Sequence, residues 1–330
     1  MRRYLPDTFT MMLVGAVILA SFFPVSGVAA DYFGLATKIA IGLLFFLHGA
    51  RLSRAVVIAG FLHWKLHITI LAATFILFPL LGLCAGVLVP GILPPALYTG
   101  ILFVCVLPST VQSSIAFTSI AGGNVPAAIC SASASNILGM FLTPLLIGLV
   151  LSASGHVGFS LDALKSILLQ LLAPFVLGQV LQPLIGNFIR AKRNLLMPVD
   201  RGSILMVVYL AFSESVTEGL WHTVSIRDLG VVIIVDILIL AIVLAVTMFG
   251  SRLAGFSKED EIAITFCGSK KSLASGIPIA TVIFAGQSIG TIVLPLMLFH
   301  QIQLMVCAVI ARKYADAAKR ARVENIQTAT

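Results

Sequence analysis

The chain has 330 residues, 59% of them hydrophobic and 10% charged, with a mean hydropathy of +1.09 and a formal net charge of +8. A soluble domain carries about 25% charged residues, so this composition excludes a water-soluble enzyme and fits roughly ten membrane spans of about 20 residues each. The basic excess reads as residues gathered at one membrane face, with the lipid bilayer as partner and no nucleic acid.

Apolar runs bounded by charge or turn residues fall at 8–29, 33–52, 66–89, 95–121, 125–152, 163–187, 203–219, 229–251, 261–285 and 289–311. They predict an all-α polytopic membrane protein with ten transmembrane helices. Arg2, Arg3 and the small residues Val28-Ala29-Ala30 also mimic a secretory signal. The first run is nonetheless read as a span, because it is long enough to cross and its removal would leave an odd count. Residues 53–64 carry basic ends around an apolar middle, which fits either an interfacial helix or the frayed end of the second span.

With alternating spans, one face collects the basic residues near 2–3, 51–65, 190–201, 252–258 and 312–322, and the other keeps Lys38, Lys165 and Arg227. The positive-inside rule then places both termini in the cytoplasm of a cell whose inner membrane holds the protein. Cys84, Cys105, Cys130, Cys267 and Cys307 all lie in apolar runs without a CxxC pair and read as small buried hydrophobes. No cofactor or metal is expected. HExxH, G-x-S-x-G and the G-x-x-x-x-G-K-[ST] loop do not occur, which argues against an intramembrane enzyme and against ATP-driven pumping.

The fourth run, ILFVCVLPSTVQSSIAFTSIAGGN, and the ninth, IAITFCGSKKSLASGIPIATVIFAGQ, are interrupted by polar and helix-breaking residues. Ser109 aligns with Ser269, about half a chain apart. With five spans before the sixth, residues 1–156 and 157–330 are expected to form two inverted five-helix repeats with discontinuous fourth and ninth helices. Pro108 removes a backbone donor and Gly268 weakens the helix, breaks tolerated only inside protein or beside a cavity. Ser109, Thr110, Gln112, Ser113 and Ser114, with Ser131, Ser133, Ser135 and Asn136 of the next span, supply oxygens able to replace a cation's hydration shell. The same residues also serve at ordinary helix interfaces.

Lys270 and Lys271, followed by Ser272, sit in mid-span, where an ammonium costs on the order of 3 kcal/mol. Candidate charge partners are Asp236 in the eighth span and Glu214 near the outer end of the seventh. The pairing serves either as a fixed cation, proton carrier or anion anchor, or as a static bridge between helices. His300, beside Gln301 and Gln303, is a further candidate for the cavity.

AGGNVPAAICSASASNILGMFLTPLL (121–146) and FCGSKKSLASGIPIATVIFAG (266–286) resemble the bile-acid/sodium symporter superfamily, and more narrowly its seventh-member branch, related to solute carrier family 10 member 7. GLLFFLHGARLS (42–53), FPLLG (78–82) and LLAPFVLGQVLQP (171–183) fit the same pattern, so the similarity runs through nearly the whole chain. The resemblance implies panel and core domains, with the two discontinuous helices crossing at the substrate site. In sodium-coupled relatives a glutamate and a glutamine of the ninth span, a serine-asparagine pair of the fourth and a glutamine of the third hold sodium. Here those positions read Cys267, Lys271, Ser113-Ser114 and Thr74. Loss of an anionic ligand to a thiol and the addition of two cationic groups repel a bound sodium ion, so the two-sodium mechanism does not carry over. The resemblance implies a symporter-like secondary transporter of a small organic anion, working by alternating access. A lysine would stand where the metal cation binds, giving either proton coupling or uncoupled transport, with sodium coupling also left open. The alternative is a membrane regulator of ion homeostasis acting through partners without solute flux.

Overall fold

The computed structural model describes residues 8–51, 63–153, 169, 172–217, 219, 221 and 224–328, and among these all regular structure is helical. The helices are α1 (Thr8–Phe22), α2 (Val28–Arg51), α3 (Trp64–Ala72), α4 (Phe78–Cys84), α5 (Pro95–Val106), α6 (Val111–Ile120) and α7 (Val125–Ala153). They continue with α8 (Ala173–Ala191), α9 (Arg193–Thr217), α10 (Ile226–Leu253), α11 (Lys258–Gly268), α12 (Leu273–Ile283) and α13 (Ile289–Thr328). Among the described residues, five segments are long and apolar enough to cross a membrane: Val28–Arg51, Trp64–Leu88, Val125–Leu151, Ile226–Leu253 and Ile289–Ala318. The bent pair α5 and α6 makes a sixth. The chain is an integral membrane protein. The expected interfacial segment 53–64 and the boundary between the two expected repeats fall almost entirely outside the described residues.

Several boundaries differ from the sequence expectation. The second span begins at Val28 instead of residue 33, because Gly27 takes a left-handed φ of 61° and turns the chain there. The seventh begins ten residues earlier than expected, at Arg193, with Pro198 inside the helix. α3 runs into α4 through a π-helical turn at Ala73–Leu77, which shifts the carbonyl ladder of the third span.

Two groups of helices pack among themselves. α2 lies along α8, α1 along α9, and α2 also meets α9. The α2–α8 contact is backbone to backbone, since a Cβ at Gly49 would strike the Phe175 carbonyl and one at Gly178 the Phe46 carbonyl. The remaining helices form a second bundle in which α13 packs on α5, α10 and α12, and α11 on α3, α6, α7 and α10. The groups meet chiefly where α9 touches α12 and α13. There Ser215 Oγ accepts the Gly290 N–H at 2.8 Å.

Candidate functional site: the crossing of two broken helices

The first break is written into the chain by Pro108. The residue before a proline is driven from helical to extended backbone, and Leu107 adopts φ −72°, ψ 154°. α6 starts afresh at Val111, bent 61° from α5. The second break follows Gly268, with Ser269 to Ser272 outside any helix. Ser272 then caps α12 by accepting the Ser275 N–H at 3.2 Å.

The two breaks meet and satisfy each other's backbone. Ser272 N donates to Pro108 O at 2.8 Å, Ser109 Oγ to Cys267 O at 2.6 Å, Ser114 Oγ to Phe266 O at 3.1 Å and Thr110 Oγ1 to Lys271 O at 2.9 Å. Unpaired carbonyls in a membrane interior are costly. At the end of α11 they are closed by hydroxyls of the first break and by its own turn, as Ser269 Oγ to Thr265 O at 2.6 Å. At the end of α5 Thr143 Oγ1 takes Val106 O at 2.8 Å, while Lys271 takes Cys105 O and Leu107 O. At each break the next helix but one supplies an amide that binds it. Asn136 of α7 donates to Ser109 O, while Gln303 of α13 bonds both the N–H and the C=O of Lys271 at 2.9 Å. Asn136 also accepts from Ser275 Oγ at 2.8 Å, tying the first break to α12.

Lys271 is fully buried. Its Nζ donates to three main-chain oxygens, Thr74 O and Cys105 O at 2.8 Å and Leu107 O at 2.7 Å. Three acceptors match the three N–H of an ammonium, whereas a neutral amine has only two hydrogens to give. Cys105 and Leu107 lie at the C-terminal end of α5, the negative end of its dipole, and Thr74 lies in the π turn, while the Phe78 ring sits 4.1 Å from Nζ. The cage is one that a bare monovalent cation would also accept. Lys270 is equally buried, and its Nζ makes no hydrogen bond; it stands 4.2 Å over the Phe117 ring and 6.0 Å from that of Phe266.

The expected ion pair between Lys271 and Asp236 is not formed, because carbonyl oxygens take all three ammonium hydrogens. Asp236 is fully buried with neither carboxyl oxygen hydrogen-bonded. Glu214 is exposed on α9. Ser109, Thr110, Ser114, Asn136, Lys271 and Ser272 do come together at the crossing. Gln112 is exposed on α6, Ser113 Oγ is buried without a partner, and Ser133 is half-buried on α7 three residues before Asn136. The accessible side of the crossing is therefore uncharged and polar. Ser135, one of the expected oxygens, accepts the Ser109 N–H at 3.0 Å, and Ser275 and Gln303 complete the site from outside the expected set. For Gln303 the available signal was an amide in an apolar run beside a histidine.

An apolar helical bundle built around two broken helices whose ends close on one another defines a membrane transporter. The chain belongs to the SBF-like CPA transporter family, whose model matches residues 7–316. An uncharacterized protein of Pseudomonas aeruginosa is 57% identical over 95% of this chain and 94% of its own. The Escherichia coli protein named Putative symporter YfeH is 51% identical over 98% and 97%. Sodium/bile acid cotransporter 7-B of Xenopus laevis is 29% identical over 83% and 80%. The superfamily expected from the two broken segments is thereby borne out.

Proposed function

We propose that the protein is a secondary transporter moving a small organic anion across the inner membrane by alternating access. The observation that carries this reading is the crossing, where α6 and α12 both begin. Helix N-termini present unpaired N–H groups and a positive dipole end. No side chain caps α6, since the hydroxyl of Thr110 at the cap position turns to Lys271 O instead. Around these ends Thr110, Gln112, Asn136 and Ser275 are at least partly exposed, so an anion has access to the uncapped N–H groups of α6.

On this reading ten spans form two inverted repeats, 1–156 and 157–330, with both termini cytoplasmic. α1, α2, α8 and α9 act as the panel against which the other helices rock, and Ser215 against Gly290 marks a contact that must slide or break. Lys271 is a tethered cation in place of a bound metal ion, which leaves sodium unnecessary; Lys270 is a second fixed charge. Relatives named as a symporter and as sodium/bile acid cotransporters support the transport class. The test is uptake of a labelled bile acid and a panel of small carboxylates into proteoliposomes under imposed sodium or proton gradients. Uptake of at least one probe without sodium is expected. Stimulation by sodium alone would overturn the tethered-cation reading.

A further inference from the structure

Gln303 is fully buried, and its amide orientation is dictated by the backbone it holds. The main-chain N–H of Lys271 can only donate, so it must face Oε1; the carbonyl can only accept, so it must face Nε2. One N–H of Nε2 is spent on Lys271 O, and Nδ1 of His300 lies 3.0 Å from that same Nε2. Nδ1 must therefore be the acceptor, which makes His300 neutral with its proton on Nε2. His300 and Gln303 are i, i+3 neighbours on α13, so the helix itself keeps them in register.

From this we infer that His300 is a proton-responsive positioning residue of the second break: a proton arriving at Nδ1 unseats Gln303 from Lys271. With Nδ1 protonated, two donors face each other across the same contact. Turning the amide over would satisfy the imidazolium but would set Nε2 against the Lys271 N–H and Oε1 against its carbonyl. Either way the break loses the side chain that grips it, leaving Thr110 Oγ1 as the side-chain partner of Lys271 O. Proton binding is thus converted into loosening of the segment that carries the caged ammonium.

The charges around α13 bear on the same proton. Of the elements packed on it, α6 and α12 carry no ionisable side chain. α5 brings Tyr98 and Cys105; α10 brings Asp236, with Arg227, Asp228 and Arg252 at its ends; α9 brings Tyr209 and Glu214, with Arg193, Asp200 and Arg201 nearer its start. The break adds Lys270 and Lys271. The inference takes its functional meaning from the transport reading, but its geometry stands apart from it.

Two measurements on the full chain in nanodiscs test this without any transported solute. In spectra of ¹⁵N-histidine-labelled protein at about pH 8, above the ordinary imidazole range, the signals lost in His300→Gln or His300→Asn should report the Nε2–H tautomer. An Nδ1–H tautomer or an imidazolium there would overturn the inference. The second is maleimide labelling of the buried Cys267, in protein whose other cysteines are replaced by alanine or serine. The rate ratio of wild type to His300→Gln, taken at equal pH to cancel the thiol's own chemistry, should rise several-fold between about pH 8 and about pH 5.5; a flat ratio would overturn it. Absence of flux for every solute, with both of these results intact, would count against the transport reading alone.

Discussion

Gln303 grips Lys271 at both of its main-chain groups, accepting from the N–H and donating to the C=O, each at 2.9 Å. A side-chain amide here does what the next turn of a helix would otherwise do. Gln303→Leu removes both bonds while keeping the volume. A buried polar group left unpaired costs about 1–3 kcal/mol, and Thr110 still serves the carbonyl, so a loss of about 2 kcal/mol is expected. Gln303→Glu retains the acceptor and should fall between. Denaturant titration in mixed micelles measures both.

Lys271→Ala leaves three carbonyl oxygens around an emptied space. If those oxygens form a cation cage, a free ion should enter it: the variant should gain thermal stability with sodium or potassium chloride relative to choline chloride at equal ionic strength. At tenfold excess over its dissociation constant such a ligand contributes about 1.4 kcal/mol. Wild type, with its own ammonium in place, should not respond. A variant as indifferent as wild type would mean that the cage is specific to the tethered amine.

The two breaks were legible because their causes are side chains. Pro108 forces Leu107 extended, and hydroxyls in an apolar run have few reasons to be there. The lysine's partners were not legible, because they are main-chain oxygens, 197 residues away at Thr74 and 166 at Cys105. Backbone acceptors leave no mark in a sequence, whereas the carboxylate of Asp236 does, and the cage does not use it. Thr74 stands where the resemblance implies a sodium-binding glutamine in relatives, a departure that takes a side-chain ligand away. Its carbonyl reaches the ammonium instead, from the π turn, while its own hydroxyl bonds back to Ile70 O at 2.8 Å.

Away from the crossing, Glu261 joins three helices through one oxygen. Its Oε1 accepts from Arg252 Nη2 at 2.8 Å, Lys258 Nζ at 2.9 Å and Tyr314 OH at 2.7 Å. The carboxylate side chain is 4% exposed, against 45% for Arg252 and 53% for Lys258. The partners should therefore respond unequally. Arg252→Ala lets water take over and should cost under about 1 kcal/mol, less at high salt. Glu261→Ala removes the common acceptor and leaves Tyr314 unpaired, at a cost of about 2–3 kcal/mol. Equal effects in unfolding titrations would contradict the asymmetry.

Gly139 is where α7 makes room for the first break. A Cβ there would lie 2.6 Å from Cβ of Pro108 and 2.8 Å from its Cγ. Alanine at this position must push the proline away. Pro108 cannot move alone, since its carbonyl accepts from Ser272 and the preceding Leu107 carbonyl accepts from Lys271. Gly139→Ala should thus destabilise the protein despite alanine's better helix propensity. Gly230→Ala on α10, where nothing lies within 4 Å, should stabilise it by up to about 1 kcal/mol. Pro108→Gly deletes the obstructing ring, so in the double variant the clash disappears and the two effects should be strongly non-additive. Additive costs would mean that Gly139 is needed for some reason other than its contact with Pro108.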